Sequence, residues 1–358
     1  MRKISNRVCH SGSNVGLSGI HNIESGFPRL PAYRQAGAGM THGNMDSFNQ
    51  IIFDAIARLK KISDSPALDA DILLGHASGL NQMQVVMAAT QSITTKQIEY
   101  FLELVKKRAK GVPVAYLTGR KEFFGKEFEV TQDVLIPRPE TEGLVELALD
   151  KIRNKELGIK VLDIGTGSGC IAVSLYNTLS ALGEGARRAG EAGDNASGQI
   201  IIPASPLPLS QMGEGKIEIT ATDISKEALA VAKRNAEKHH VDIEFVQSDL
   251  FDNLIGKKFD LIIANLPYVR LTDYQTNLFE LRAEPKIALT DETDKWELLT
   301  RFIEQLPYHL MPAGCALMEI DPSTCKVIEE TVKKYLPKAK IKLHRDLSSR
   351  WRYAEITI

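Results

Sequence analysis

Apolar positions along this chain change their period several times, and the changes divide it. Residues 1–44 are rich in Gly, Ser, Asn and His and show no sustained repeat, so they offer little apolar surface for a core. Over residues 47–59, Phe48, Ile51, Ile52, Ala55, Ile56 and Leu59 recur at helical spacing. Two further amphipathic stretches, 67–76 and 95–109, complete a small bundle of three helices joined by polar turns. Phe123, Phe124, Phe128 and Val130 then flank Gly125-Lys126, the pattern of a hairpin turning at the glycine. Pro137 and Pro139 hold the next residues extended, and Glu140, Thr141 and Glu142 open a helix whose dipole favours acids at that end.

From residue 160 onward short β-branched runs alternate with helical ones. Strands are expected over 160–164, 216–222, 243–247, 259–264, 315–320, 341–344 and 353–358. Helices are expected over 170–182, 225–238, 272–282, 296–309 and 325–335. This alternation predicts an α/β fold with a mostly parallel seven-stranded sheet wound on both faces. The last two strands, separated only by a loop, predict an antiparallel hairpin at one edge. Residues 183–215 break every pattern and read as an insertion. A helix-to-strand connection lies at the strands' amino ends, whereas ligands bind at the carboxyl ends, so the insertion should hang away from the chemistry.

The domain plan that follows has a tail or over-long start over 1–44, with Met45 as the alternative beginning. A helical domain covers 45–113, a hairpin linker 114–137 and the sheet domain 138–358. The helical domain is either a stabilising appendage or a substrate-docking element.

Composition narrows the partners. Lys and Arg number 44 against 45 Asp and Glu, so no global field draws the chain to nucleic acid or to an anionic membrane surface. No apolar run approaches the roughly 20 residues of a membrane span. Cys9, Cys170, Cys315 and Cys325 are scattered without paired spacing, which indicates neither a disulfide framework nor a zinc site. A monomer in the cytoplasm with no metal is expected. Arg2, Lys3, Arg7, Arg29 and Arg34 against the single acid Glu24 leave a mitochondrial transit peptide as the alternative.

The candidate chemistry begins at residues 161–172, VLDIGTGSGCIA. A strand closes on Asp163, glycines follow at 165, 167 and 169, and a helix starts at once. Such a turn lets a ligand approach the backbone and offers it the unpaired N–H groups of the new helix. The spacing is G-x-G-x-G, not the dinucleotide pattern G-x-G-x-x-G. Asp163 would repel a diphosphate but suits the positive end of an amino-acid group. The arrangement resembles the first motif of class I S-adenosylmethionine (SAM) methyltransferases. That resemblance makes Asp163, Gly165, Thr166, Gly167, Ser168 and Gly169 cofactor-binding candidates. Asp223 falls at the ribose-acid position once the insertion is discounted. Asp249 could take the adenine amine while Leu250 and Phe251 cover the ring.

Asn265-Leu266-Pro267-Tyr268 follows the strand at 259–264 and resembles the N-P-P-Y signature of enzymes that methylate planar, amide-like nitrogens. Such a nitrogen has a delocalised lone pair, so its site must hold both N–H groups with acceptors. The Asn265 side chain and the Leu266 carbonyl could be those acceptors. Pro267 would stiffen the turn, Tyr268 could stack on the planar group, and Asn265 also borders the cofactor. Ribosomal-RNA adenine dimethyltransferases carry the same N-L-P-Y, with their helical domain after the catalytic fold. Here the helices come first. The segments AYLTGR, EFFGKEFEV and LIPRPETE, with Glu284-Pro285, Met318-Glu319-Ile320 and Asp346-Leu347, closely resemble the peptide chain release factor N5-glutamine methyltransferases. The resemblance implies a class I SAM-dependent fold and methylation of a glutamine side-chain amide in class 1 release factors. It places Asn265, Leu266, Pro267 and Tyr268 in catalysis, and Arg138 and Glu140 with them on the substrate side. It implies no direct nucleic-acid contact. The chain departs from the family at Leu266, at Thr290-Asp291-Glu292 where a glycine pair is usual, and at Ser348-Ser349 where the last hairpin usually has glycine. An adenine-N6 methyltransferase and a silent binding module on the same fold are the alternatives.

Overall fold

The computed structural model describes residues 42–87, 93–152, 158–191, 217–276, 281–291 and 296–358. They form two compact units that divide between Lys110 and Gly111. Most of the expected tail lies outside the described residues. Among the described residues no helix is long and apolar enough to cross a membrane.

The first unit contains α1 (His42–Leu59), α2 (Pro66–Ser78), the short α3 (Gln82–Met87) and α4 (Thr95–Arg108). Its interior is the one the helical spacing selects: Ile52, Ala55 and Leu59 from α1, Ala70, Leu73 and Leu74 from α2, and Phe101, Leu104 and Val105 from α4 are buried. Thr94 and Gln97 form a reciprocal capping box at the start of α4, which satisfies donors the first turn leaves open. Arg108 at the other end donates Nε to Asp69 of α2 at 2.7 Å, with both side chains nearly buried. That pair fixes the two helices in register.

The second unit opens with α5 (Val114–Thr118) and the hairpin β1 (Arg120–Phe123) and β2 (Lys126–Glu129). Phe124 and Gly125 both take positive φ, 50° and 69°, the twist that two-residue hairpin turns require. Phe123 and Phe128 are buried in the main core. The hairpin expected as a linker is therefore built into the second unit, because its aromatic face has no other way to leave water.

After α6 (Pro139–Ile152) come β3 (Lys160–Ile164), α7 (Cys170–Glu191), β4 (Glu218–Asp223), α8 (Lys226–Lys238), β5 (Glu244–Gln247) and β6 (Phe259–Ala264). The chain continues through α9 (Leu271–Thr276), α10 (Lys286–Leu289), α11 (Glu297–His309), β7 (Leu310–Glu319), α12 (Cys325–Tyr335), β8 (Lys340–Arg345) and β9 (Trp351–Thr357). The seven-stranded sheet has the order β5-β4-β3-β6-β7-β9-β8. The first five strands are parallel and β9 alone runs against its neighbours. The expected edge hairpin exists, but β9 is its inner strand, inserted beside β7.

Alternation along the central strands supplies both cores. Val161, Leu261, Ile263, Cys315 and Leu317 face α6 and α7 in one cluster. Leu162, Ile164, Ile262, Ala264, Ala316 and Met318 face α11 and α12 in the other. Fully burying each large aliphatic side chain contributes about 1.5–3 kcal/mol, so these two layers hold the sheet between helices.

Two expectations change. The helix expected to stop at residue 182 continues to Glu191, because Ala, Leu, Glu and Arg after 180 favour the helix more than the interspersed glycines oppose it. The first part of the expected insertion is therefore helical, and 192–216 lie outside the described residues. The helix expected over 272–282 is α9 followed by a 3-10 turn at Leu281–Ala283, with 277–280 between them outside the described residues.

Candidate active site

The sheet order reverses direction between β3 and β6, the place where an open α/β sheet leaves a crevice beyond its carboxyl ends. A cavity of about 160 Å³ lies there. Its walls include the glycine turn at Gly165, Thr166, Gly167 and Ser168, then Asp223, Asp249 with Leu250, and Asn265, Leu266 and Pro267. Arg138 and Thr141 close one side and Ile287, Ala288 and Leu298 another. Residues far apart in sequence thus converge on one rim.

The glycine turn is held from beneath and from the side. Asp163 is fully buried, and its Oδ2 accepts the Thr166 hydroxyl at 2.6 Å. Burial pushes its carboxyl up to about 7, with the Thr166 hydroxyl opposing and the nearby Asp223 charge adding to the rise. Asp223 accepts the Gly167 N–H on Oδ2 and the Ser225 N–H on Oδ1, each at 2.9 Å. Burial raises its carboxyl as well, against those backbone donors. Gly169 adopts φ +79°, and a Cβ there would sit 3.2 Å from Ala232 Cβ. The third glycine therefore serves the close approach of α8 as well as the turn.

The N-L-P-Y segment leaves β6 beside β7. Ala264 pairs with Met318, so the next residues, Asn265 and Glu319, are neighbours at the two strand ends. Asn265 Nδ2 lies 3.2 Å from Glu319 Oε2 and 3.3 Å from Thr141 Oγ1, donating toward the buried carboxylate and the hydroxyl beside it. Thr141 in turn donates to Glu319 Oε2 at 2.7 Å and Tyr268 donates to Oε1 at 2.9 Å. Burial raises the Glu319 carboxyl above the usual range, opposed by the Thr141 and Tyr268 hydroxyls.

The sequence of the chain carries further evidence of descent. The family description "PrmC N-terminal domain" matches residues 50–119 and "Methyltransferase small domain" matches 208–289. The release factor glutamine methyltransferase of Rhodopirellula baltica is 34% identical over 296 residues, covering 81% of this chain and 88% of that protein. That of Haemophilus influenzae is 32% identical over 279 residues, covering 76% and 86%. That of Bacillus subtilis is 32% identical over 288 residues, covering 78% and 88%. The chain belongs to the release factor glutamine methyltransferase family. Among solved structures, the chain is similar to the hMettl16 catalytic domain in complex with MAT2A 3'UTR hairpin 6, at 16% identity and a TM-score of 0.46, covering 71% of this chain and 81% of that one. Another is the ribosomal protein L11 methylase from Lactobacillus delbrueckii subsp. bulgaricus, at 22% identity and a TM-score of 0.40, covering 63% and 82%.

Within this member of the release factor glutamine methyltransferase family, the sequence-selected residues are not all in the cleft wall. Tyr268 stands behind Pro267, where both line a small separate cavity with Trp296, Leu299 and Met318. Glu140 is exposed, and its carbonyl accepts the Tyr353 hydroxyl at 2.6 Å. Phe251 does not cover the cleft: it is buried, stacked on His309 at 4.5 Å and on Phe302 at 5.7 Å. Leu250, at φ 49°, turns the chain so that its neighbour enters the core. Asp249 carries an ion pair with Arg301 of α11 at 2.9 Å.

Other residues become visible only in three dimensions. Asn235 of α8 is fully buried and gives Nδ2 to the carbonyls of Ser168 and Glu129, both at 2.9 Å, while accepting the Glu129 N–H at 2.7 Å. It ties the glycine turn to the hairpin. Glu284 is buried and accepts both the Arg138 guanidinium and the Ile136 N–H, the latter at 3.0 Å. That contact pins the segment before α6 to the turn leading into α10, which carries Ile287 and Ala288. Asn235 falls within the helix expected over 225–238 with no pattern that marks it, and Glu284 is visible in the sequence only through the family resemblance.

Proposed function

We propose that this protein transfers a methyl group from SAM to the N5 side-chain nitrogen of a glutamine in class 1 peptide chain release factors. The observation that carries the reading is the orientation of Asn265. Its Nδ2 is committed to Glu319 and Thr141, which leaves its Oδ1 to accept from a substrate amide.

The cleft fits SAM by its chemistry. A backbone cradle of glycines at positive φ stands above Asp163 and beside Asp223, a donor and charge set that suits a zwitterion with a ribose and disfavours a diphosphate. Asp223 would take the ribose hydroxyls and Asp249 and Leu250 the adenine, while Asp163, buried beneath the turn and outside the cleft lining, would act on the amino-acid end through the turn it braces. When bound, SAM supplies an electrophilic methyl on a positively charged sulfur.

The chain's own task is to hold a poor nucleophile. Asn265 Oδ1 and the Leu266 carbonyl accept the two N–H bonds of the glutamine amide and turn its nitrogen toward the donor side of the cleft. As the nitrogen–methyl bond forms, the methyl–sulfur bond would break, the sulfur leaving as a neutral thioether, and the N–H proton would pass to solvent after transfer, so no His or Cys is assigned as a base. Leu266 keeps the carbonyl that proline would supply at this position. Tyr268 acts from behind, through Glu319, rather than by stacking. Arg138 borders the entrance, where it would meet the substrate backbone.

The test is incubation of the purified protein with labelled SAM and either a release factor or ribosomal RNA. Label in the protein band supports the reading. Label in adenine would replace it with the nucleic-acid alternative, and failure to bind SAM would leave a silent module.

A further inference from the structure

Glu319 is a charged residue where the sheet pattern calls for an apolar one. Cys315 and Leu317, its partners on the same face of β7, are core residues, and Glu319 itself is 2% exposed. Burying a carboxylate there is costly unless every lone pair is used. Three donors meet it: the Thr141 hydroxyl, the Tyr268 hydroxyl and the Asn265 amide. Packing alone gives no reason for this arrangement.

The reason lies in the symmetry of an asparagine side chain. Its Oδ1 and Nδ2 ends have nearly the same shape, so sterics do not decide which end faces the cleft. Thr141 has a single hydroxyl proton and spends it on Glu319, so towards Asn265 it can only accept. A carboxylate likewise only accepts. With Asn265 reversed, Oδ1 would face two oxygens without a proton between them, and Nδ2 would confront the N–H groups of the substrate amide. We infer that Glu319 is a positioning residue that selects the productive face of Asn265, presenting its oxygen and never its nitrogen to the acceptor amide. The inference rests on the methyl-transfer reading above. Tyr268, bonded to the other carboxylate oxygen, stops the carboxylate from rotating.

The test is Glu319→Gln, which keeps size and shape but can donate as well as accept. Its amide supports both orientations of Asn265. Turnover on the release factor should fall on the order of 10-fold to 100-fold, while SAM affinity by calorimetry stays within a few-fold. In an Asn265→Ala background the same change should add no further loss, because the residue it orients is gone. Thr141→Val, which removes the intermediate hydroxyl, provides a second route to the same pattern if the glutamine variant folds poorly. Thr141→Ser should restore the parent rate. Parent-like turnover of Glu319→Gln, or an equal additional loss in the Asn265→Ala background, would overturn the positioning role. Absence of release-factor methylation by the parent protein itself would instead bring down the methyl-transfer reading, and this inference with it.

Discussion

Asp223 Oδ2 accepts the Gly167 N–H at 2.9 Å, so the acid at the end of β4 buckles the glycine turn at the end of β3. Asp223 therefore serves the backbone already, and the proposed ribose contact would be its second task. Asp223→Ala should weaken SAM binding by about 1–3 kcal/mol through lost hydroxyl contacts and a loosened turn. Asp223→Asn keeps one acceptor oxygen and should lose less. Calorimetric titration distinguishes them, and unchanged affinity in the alanine variant would remove Asp223 from the site.

Asp163 gives a pH dependence with a definite sign. Its carboxyl is pushed up to about 7 in the folded protein, above the roughly 3.9 of an unfolded chain. The folded state thus holds the proton more tightly. The resulting stability is complete below about pH 4 and is lost as pH rises through about 7. Asp163→Asn, which still accepts the Thr166 hydroxyl, should be more stable than the parent at pH 8, by about 1–3 kcal/mol, and equal to it near pH 4. Urea midpoints of the ligand-free proteins at both values check this. An equal difference at both would show that the Asp163 proton is not responsible.

Arg138 should matter to the loop on the far side of the cleft. Removing it leaves the buried Glu284 carboxylate with the Ile136 N–H but no cation. Arg138→Ala should destabilise the protein by about 1–2 kcal/mol, a value reduced because the guanidinium is part-exposed. Adding Glu284→Gln should recover part of that loss. Additive losses in a urea double-mutant cycle would show that the two side chains do not act as a pair.

Ser349, in the Ser348-Ser349 pair where the family resemblance expects a hairpin glycine, has a φ of 62°. A side chain in that conformation is strained by about 1 kcal/mol. Ser349→Gly should therefore raise stability by roughly 0.5–1 kcal/mol without changing turnover, as thermal unfolding would show. A lower midpoint would mean that the serine side chain makes a compensating contact.

Much of the fold could be read along the chain because a polar residue stands within one position of the carboxyl end of β3, β4 and β6. Asp163, Asp223 and Asn265 all announced themselves this way. Phe251 did not, because the positive φ at Leu250 turns it inward and no local pattern encodes that. Asn235 and Glu284 act across 67 and 148 residues respectively, distances over which spacing carries no signal. Glu319 was hidden by its company: between Met318 and Ile320 it read as part of a family signature in a core strand. α7 runs past residue 182 because the helix formers around Gly183 and Gly185 outweigh the two glycines, a balance that spacing alone does not reveal.

Asn265 is the residue proposed to hold a glutamine amide for methyl transfer. The most direct test of that role is mass spectrometry of a release factor incubated with SAM and either the parent protein or Asn265→Ala. The parent should place one methyl on a glutamine side-chain nitrogen. The variant should do so more slowly by a factor on the order of 10² while binding SAM within a few-fold of the parent. An undiminished rate in the variant, or a methyl found on adenine when ribosomal RNA replaces the release factor, would contradict the account.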